Sequence, residues 1–467
     1  MQCLRRHSGL DGSTNVHELH SVVKPRQRIV RNVGARGRGA INPSSPHSRS
    51  ERLRANSLPG RQPAVALKRA PNLRSLRYLF PFVVLAYAIV LAPLIDAGLR
   101  NYLVLFAAAL GGLCIIIYEL PLQRQVWWVT GLALYMVASV SLAGNLGDLW
   151  SVGLTLLYIT GYLAAGGLLS IARDKRQVVE RVLRWVIYAF AAISVLQMLT
   201  SLVGLPVPNL IQSKGLWSYN SLAMEPSQVG RVVGITFLAF LIVRARPDEP
   251  EPVKSLLTTN RWPWCAFLAT MLLSGSALAF AAIIAALVLS RSFGVAVVWS
   301  LSALALVPIM IAVDFAPLQR SLLLLTNFSF ANPYAMMEVE GSGASRILPA
   351  LIYLGEASVG DVGFWLGYGS EGISRFFLAR IPGFGDIVAA GFLPGFAVIY
   401  GVVGFSLFMW TFLFRFIGRE TLPIIIFWLV FFSTSAVNTQ VIWYGLILIW
   451  AVHLVRAGAD DARTFSR

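Results

Sequence analysis

Residues 149–171 read LWSVGLTLLYITGYLAAGGLLSI, an apolar stretch without one charged side chain. As a helix it is about 35 Å long at about 1.5 Å per residue, enough to cross a hydrocarbon core of about 30 Å. It ends against Arg173, Lys175, Arg176 and Arg181. Basic residues crowd the cytoplasmic ends of membrane helices. This segment therefore reads as a membrane span that runs from the outer face to the cytoplasm.

The rest of the chain has the same character. Its 467 residues are 56% hydrophobic and 13% charged, with a mean hydropathy of +0.67. A soluble domain carries about twice that charged fraction. These values exclude a soluble enzyme, a secreted globular domain and a disulfide scaffold. The net charge of +17 is concentrated at one end, because residues 1–78 hold 16 Lys and Arg against 3 Asp and Glu. Residues 1–77, which include RNVGARGRGAINPSSPHSRSERLR, lack the apolar run of a cleavable signal peptide. High charge with little apolar surface reads as a disordered cytoplasmic arm. The arm has no aromatics before Tyr78 to stack on bases, so its expected partner is anionic lipid rather than nucleic acid. Cys3 lies in the arm, while Cys114 and Cys265 sit inside apolar runs with no metal-ligand spacing. The latter two read as small core residues.

Working outward from 149–171, the other apolar runs of span length are 78–95, 101–118, 126–143, 185–204, 228–243, 293–313 and 389–414. Two more apolar blocks are interrupted by polar residues. The block 262–290 is broken by Ser274-Gly275-Ser276, and 422–455 by STSAVNTQ at 433–440. If each block is a hairpin of two short helices, Arg291, Arg415, Arg419 and the tail 456–467 all fall in the cytoplasm with Arg244 and Arg246. The positive-inside rule thus predicts an all-α polytopic membrane protein of about 12 transmembrane helices with both termini inside. The short helices must bury their polar turns against protein or water. Outside lie 144–148, 206–227 and one large loop, 315–388, between spans 9 and 10. Within that loop RILPALIYLGEASVG, from Arg346, has apolar residues at helical spacing and predicts a helix along the membrane surface. No repeat of fixed period is visible.

Ionisable groups near the outer face are the sharpest functional signals, because a charge inside a bilayer costs about 2.5–3.5 kcal/mol on insertion scales. Glu225 stands in SLAMEPSQVGR at the mouth of span six, with Pro226 suited to the first helical position. It is either a helix cap or a reactive carboxylate. Arg231 lies about one and a half turns into the same span, as half of a structural ion pair or as a ligand for an anion. Arg346, Arg320, Arg375 and Arg380 in the large loop, and Lys214 in 206–227, are scattered solvated cations or a cluster for a phosphorylated headgroup. Arginine forks hold phosphate oxygens bidentately. Residues 363–372, GFWLGYGSEG, offer aromatic faces such as Tyr368 to a sugar, or simply form a tight turn, and Glu371 there is a second candidate acid. Four of the five histidines lie in the arm and His453 near the inner end of the last span. With no histidine outside and no carboxylate pairs at metal-ligand spacing there, neither a metal nor any other cofactor is expected.

These residues resemble the O-antigen polymerase and ligase superfamily of bacterial envelopes, most closely the Wzy-type polymerases of O-antigen and exopolysaccharide. The resemblance covers 78–455. It is carried by MetGluProSer at 224–227, Ser274-Gly-Ser at a sharp outer turn, and SerArg at 345–346 followed by LeuGlyTyrGly at 366–369. It implies a metal-independent, multi-pass glycosyltransferase of the bacterial inner membrane, with the large loop in the periplasm. The implied substrates are polyprenyl-diphosphate-linked glycans, and flippase and chain-length regulator proteins are implied partners. Arg231 and Arg346 would hold the donor diphosphate and Glu225, or failing it Glu371, would take the acceptor proton. Lys214, Arg320, Tyr368, Arg375 and Arg380 would bind substrate. Ligases of the superfamily use a histidine in the large outer loop, which this chain lacks. A polytopic transporter or flippase is the alternative from another class.

Overall fold

A computed structural model describes Phe82 and residues 97–120, 123–142, 144, 149–209, 218–245, 261–289, 319, 326–327, 341–378, 391–435 and 440–464. The arm 1–77, the spans expected at 78–95 (Phe82 apart) and 293–313, and most of 315–340 lie outside the described residues. Among the described residues every regular element is a helix and there is no strand. In chain order the helices are α1 (Ala97–Ile117), α2 (Gln123–Leu142), α3 (Leu149–Ile171), α4 (Lys175–Leu202) and α5 (Pro226–Arg244). There follow α6 (Arg261–Ser274), α7 (Ala277–Leu289), α8 (Gly341–Glu356) and α9 (Val362–Leu366). The last are α10 (Phe392–Phe412), α11 (Leu422–Phe432) and α12 (Gln440–Thr464). Among the described residues, six helices are long and apolar enough to cross a membrane: α2, α3, α4, α5, α10 and α12. Large apolar side chains face outward, with Ile116, Trp127, Leu134, Leu142 and Trp150 each 66–78% exposed. Such a surface suits hydrocarbon rather than water, so the chain is a multi-pass membrane protein.

Both apolar blocks are interrupted at their polar residues, but α12 has 25 residues and is not the short second helix expected there. α6 and α7 have 14 and 13 residues and turn at Gly275, whose φ is 54°. α11 has only 11 residues and is followed by the polar break that ends at Gln440. α5 lies at the centre, packed by α4, α6, α7, α11 and α12. Its Gly230 and Gly234 allow this, since a Cβ at 230 would stand 2.9 Å from the backbone of Ala279 and one at 234 would stand 2.7 Å from the Phe427 ring. Small residues four apart are a common device for close helix approach in membranes. Of the two cysteines in spans, Cys114 is buried as expected but Cys265 is exposed on α6. That correction has a simple cause: a lipid-facing position is as apolar in sequence as a core position.

Basic side chains tie one end of the bundle together. Arg176 donates to the Arg244 carbonyl at 2.6 Å, and Glu180 accepts from Arg184 and, at 3.2 Å, from Arg244. Arg456 of α12 donates to the Ile242 and Ala245 carbonyls, satisfying the last turn of α5. Arg415 donates to Gln125 at 2.8 Å and lies over the Trp128 ring. α5 and α12 run parallel from the opposite end toward this one, and α2 runs antiparallel to α10.

The run 389–414, expected as one helix, is interrupted. Gly401 has φ 67° and ψ 178°, so α10 breaks there. A break frees carbonyls that a bilayer leaves unsatisfied at high cost. The Gly/aromatic loop supplies the missing donors: Tyr368 N–H donates to the Val398 carbonyl at 2.8 Å and Gly369 N–H to Ile399 at 3.2 Å. Tyr135 of α2 donates to the Tyr400 carbonyl at 2.9 Å, and Ser139 to that of Leu366 at 2.6 Å. A Cβ at Gly401 would stand 2.3 Å from the Trp365 carbonyl oxygen. Gly401→Val should therefore lower the thermal unfolding midpoint of the purified protein. Strain at positive φ alone costs about 1–3 kcal/mol, and the clash adds to it. Gly131→Ala, on a helix with nothing within 4 Å of the added carbon, should leave the midpoint unchanged or raise it.

Candidate functional site

The sequence-predicted residues that the structure describes fall in two groups at the end of the bundle opposite the basic one. The first is built on the start of α5. The chain reaches it through a rigid segment, 218–225, held by a buried amide network. Gln197 of α4 accepts from the Ser221 N–H at 2.8 Å and donates to Asn220 Oδ1 at 3.2 Å. Asn220 donates to the carbonyls of Asn209 and Ala223, both at 2.7 Å. Ser221, at φ 49°, donates through Oγ to the Phe190 carbonyl at 2.6 Å. Gln197, an amide within the apolar run 185–204, is a polar signal of this network in the sequence.

This segment delivers Glu225 to the N-cap of α5, with Pro226 in the first helical position. The backbone caps as expected: the Glu225 carbonyl accepts from the Gln228 N–H at 3.0 Å. The side chain does not, because it makes no cap hydrogen bond and accepts instead from Ser227 Oγ at 3.0 Å. The carboxylate is exposed. Glu225 is therefore a cap through its backbone, while its side chain lies at the surface and bonds Ser227.

Arg231, about 9 Å further along the axis, is only 4% exposed. Its Nη2 donates to Thr434 Oγ1 at 2.9 Å, across 203 residues of sequence. Thr434 sits in the break between α11 and α12 and donates in turn to the Phe431 carbonyl at 3.5 Å. Ser435 and Gln440, in and after the same break, are 3% and 2% exposed. Thr434 is a neutral partner of the guanidinium.

The second group lies in the loop docked on α10. Asp361 caps α9, accepting from the Gly363 N–H at 3.0 Å and from Tyr368 Oη at 3.0 Å. These bonds, with Arg375 nearby, hold its carboxyl below the usual range. Tyr368, desolvated and bonded to that carboxylate, is pushed up to about 12. The Arg375 guanidinium lies 5.6 Å from the Tyr368 ring centroid. That ring was expected to stack on sugar; here its hydroxyl is engaged and one face carries the guanidinium. Trp365, 44% exposed, is the more open ring. Glu371 is exposed at the first position of a short helical turn. A depressed carboxyl contributes stability above the ordinary value near about 3.9, lost as pH falls through its folded value. At neutral pH, Asp361→Ala should cost the Tyr368 and Gly369 amides their hydrogen-exchange protection while α3 keeps its own.

The two groups share the first half of α10. The Leu393 N–H donates to the Ser433 carbonyl at 3.4 Å, beside Thr434, and the loop joins at Val398, about 7.5 Å further along. Arg346 lies in the second turn of α8, expected to begin at this residue but starting at Gly341. Leu348, Ile352 and Tyr353 of α8 are buried in a cluster with Phe376, Phe377 and Val398. The Arg346 side chain, and Lys214, Arg320 and Arg380 altogether, lie outside the described residues.

No known family model matches the chain, and no curated protein matches it.

Proposed function

We propose that the chain is a glycosyltransferase of the bacterial inner membrane that polymerises polyprenyl-diphosphate-linked repeat units into a surface polysaccharide. The observation that carries this reading is Arg231: a buried arginine, held by a neutral hydroxyl, one and a half turns below an exposed carboxylate on the same helix. An arginine at membrane depth is expensive and marks a function by default. It suits an anion delivered from the bilayer.

In this reading the basic end lies in the cytoplasm, the twelve-span topology holds, and Glu225 and Arg231 face the periplasm. The donor is the growing chain on its polyprenyl diphosphate, and the acceptor is a new lipid-linked unit. The acceptor hydroxyl oxygen attacks the anomeric carbon, the carbon–oxygen bond to phosphate breaks, and the diphosphate leaves with the electron pair. Configuration inverts. Arg231 and Arg346 stabilise the departing charge, and Glu225 takes the hydroxyl proton, with Glu371 the alternative base. Arg375, Lys214, Arg320 and Arg380 are the further cations proposed to bind substrate. Flippase and chain-length regulator proteins are the expected neighbours.

The test is reconstitution. Purified protein in vesicles, given lipid-linked repeat units, should produce a ladder of longer glycans still on the carrier lipid. No lengthening with unit alone, but transfer of preformed polymer onto a lipid A core, would make it a ligase.

A further inference from the structure

We propose that the segment 358–369, which carries α9, is a re-entrant loop. Its tip, Trp365 and Leu366, enters the bilayer from the end opposite the basic one, and the partner it fits is lipid hydrocarbon. By sequence the whole of 315–388 is expected outside the membrane. The placement does not depend on the chemistry proposed above.

The first observation is depth. At the basic end Arg415 bonds Gln125, near the start of α2. The tip bonds the same helix at Tyr135, which donates to the Trp365 and Leu366 carbonyls at 3.4 and 3.3 Å, and at Ser139, which donates to Leu366. Tyr135 and Ser139 lie about 15 and 21 Å from Gln125 along the axis, inside a hydrocarbon core of about 30 Å. The second observation is that polar groups of the tip are satisfied, the condition for irregular backbone at membrane depth. Its carbonyls accept from α2, the Gly367 N–H donates to the Gly363 carbonyl at 2.9 Å, and Trp365 Nε1 donates to the Val359 carbonyl at 2.9 Å. The third is the surface. Val359, Val362, Trp365 and Leu366 are 63%, 68%, 44% and 39% exposed, and Leu134 and Val137, at the same level of α2, are exposed too. An open groove of about 540 Å³ runs from Trp365 past Val402 and Trp410 to Trp128 and Phe414, beside Arg415. Lipid chains fill such an apolar groove and water does not. The charged groups of the loop sit shallower. Tyr368, which bonds Asp361 and carries Arg375 on its ring, pairs with Val398, nearer the start of α10 than Gly401, which faces the Trp365 carbonyl.

The full-length protein carrying Cys3→Ala, Cys114→Ala and Cys265→Ala can be reconstituted in phosphatidylcholine vesicles and spin-labelled at one new cysteine. At Leu366→Cys the nitroxide should relax more with oxygen, which partitions into hydrocarbon, than with a water-soluble nickel chelate, as it should at the lipid-facing Leu134→Cys. Preference for the chelate at Leu366→Cys, with Leu134→Cys favouring oxygen, overturns the proposal. The wild-type chain gives a second measurement that no substitution can disturb. Irradiation in vesicles whose phosphatidylcholine bears a diazirine in its acyl chain should leave adducts on peptides from 358–369, as on those from α2. Adducts on α2 with none on the loop would place the tip outside the hydrocarbon and overturn the proposal.

Discussion

Glu225→Gln, at a membrane level matched to wild type, should leave single repeat units and no visible polymer. Loss of a general base typically costs about 100- to 10,000-fold in rate. The structure sharpens this expectation by removing its main confounder. Had the side chain capped α5, the substitution would have cost about 1 kcal/mol of stability. The carboxylate makes no cap bond, and the backbone carbonyl that does cap is untouched. Gln also retains an oxygen to accept from Ser227. Glycan sizing on a gel, beside an immunoblot of the membrane fraction, makes the measurement. Polymer of normal length would move the search for the base to Glu371 and the other loop carboxylates.

Arg231→Lys should also abolish polymer while the protein still accumulates. Lysine keeps the charge but presents a point donor on a flexible stem instead of a planar fork. It can hold either Thr434 or an anion, but not both in the arginine's geometry. Because the wild-type guanidinium is buried, a change in its geometry is not relaxed by solvent. Arg231→Met is the useful companion. It removes the buried charge and keeps the bulk, so it should raise or preserve thermal stability while activity is lost. A variant that is stable and inactive separates binding from folding. A stable, fully active Arg231→Met would remove the arginine from the site and with it the carrying observation of the functional reading.

Much of the frame was legible in the sequence because bilayers impose simple rules. Uncharged runs such as 149–171 became helices with the expected bounds, and the interruptions at 274–276 and 433–440 became helix breaks. The start of α5 was legible too, since glutamate followed by proline is a local signature of a helix entrance. Three features were not legible, each for a physical reason. The break at Gly401 sits in an apolar run and is sustained by donors from a loop some thirty residues earlier, so no local pattern marks it. The exposure of Cys265 was hidden because core-facing and lipid-facing positions are both apolar in a membrane. The pairing of Arg231 with Thr434 joins two segments 203 residues apart. Nothing local in the polar break ties it to span six. The glycines of 363–372 were open to two readings. Gly367 and Gly369 serve the approach of the loop to α10, a structural need that leaves the neighbouring Trp365 as the accessible ring.

The account's central claim is that this chain lengthens a lipid-linked glycan. Deletion of its gene, followed by sizing of the cell's surface glycan and of the glycan on the carrier lipid, tests it most directly. The account predicts single repeat units in both fractions, with long polymer restored by the wild-type gene and not by Glu225→Gln. Complete polymer stranded on the carrier lipid, or an unchanged surface glycan, would contradict it.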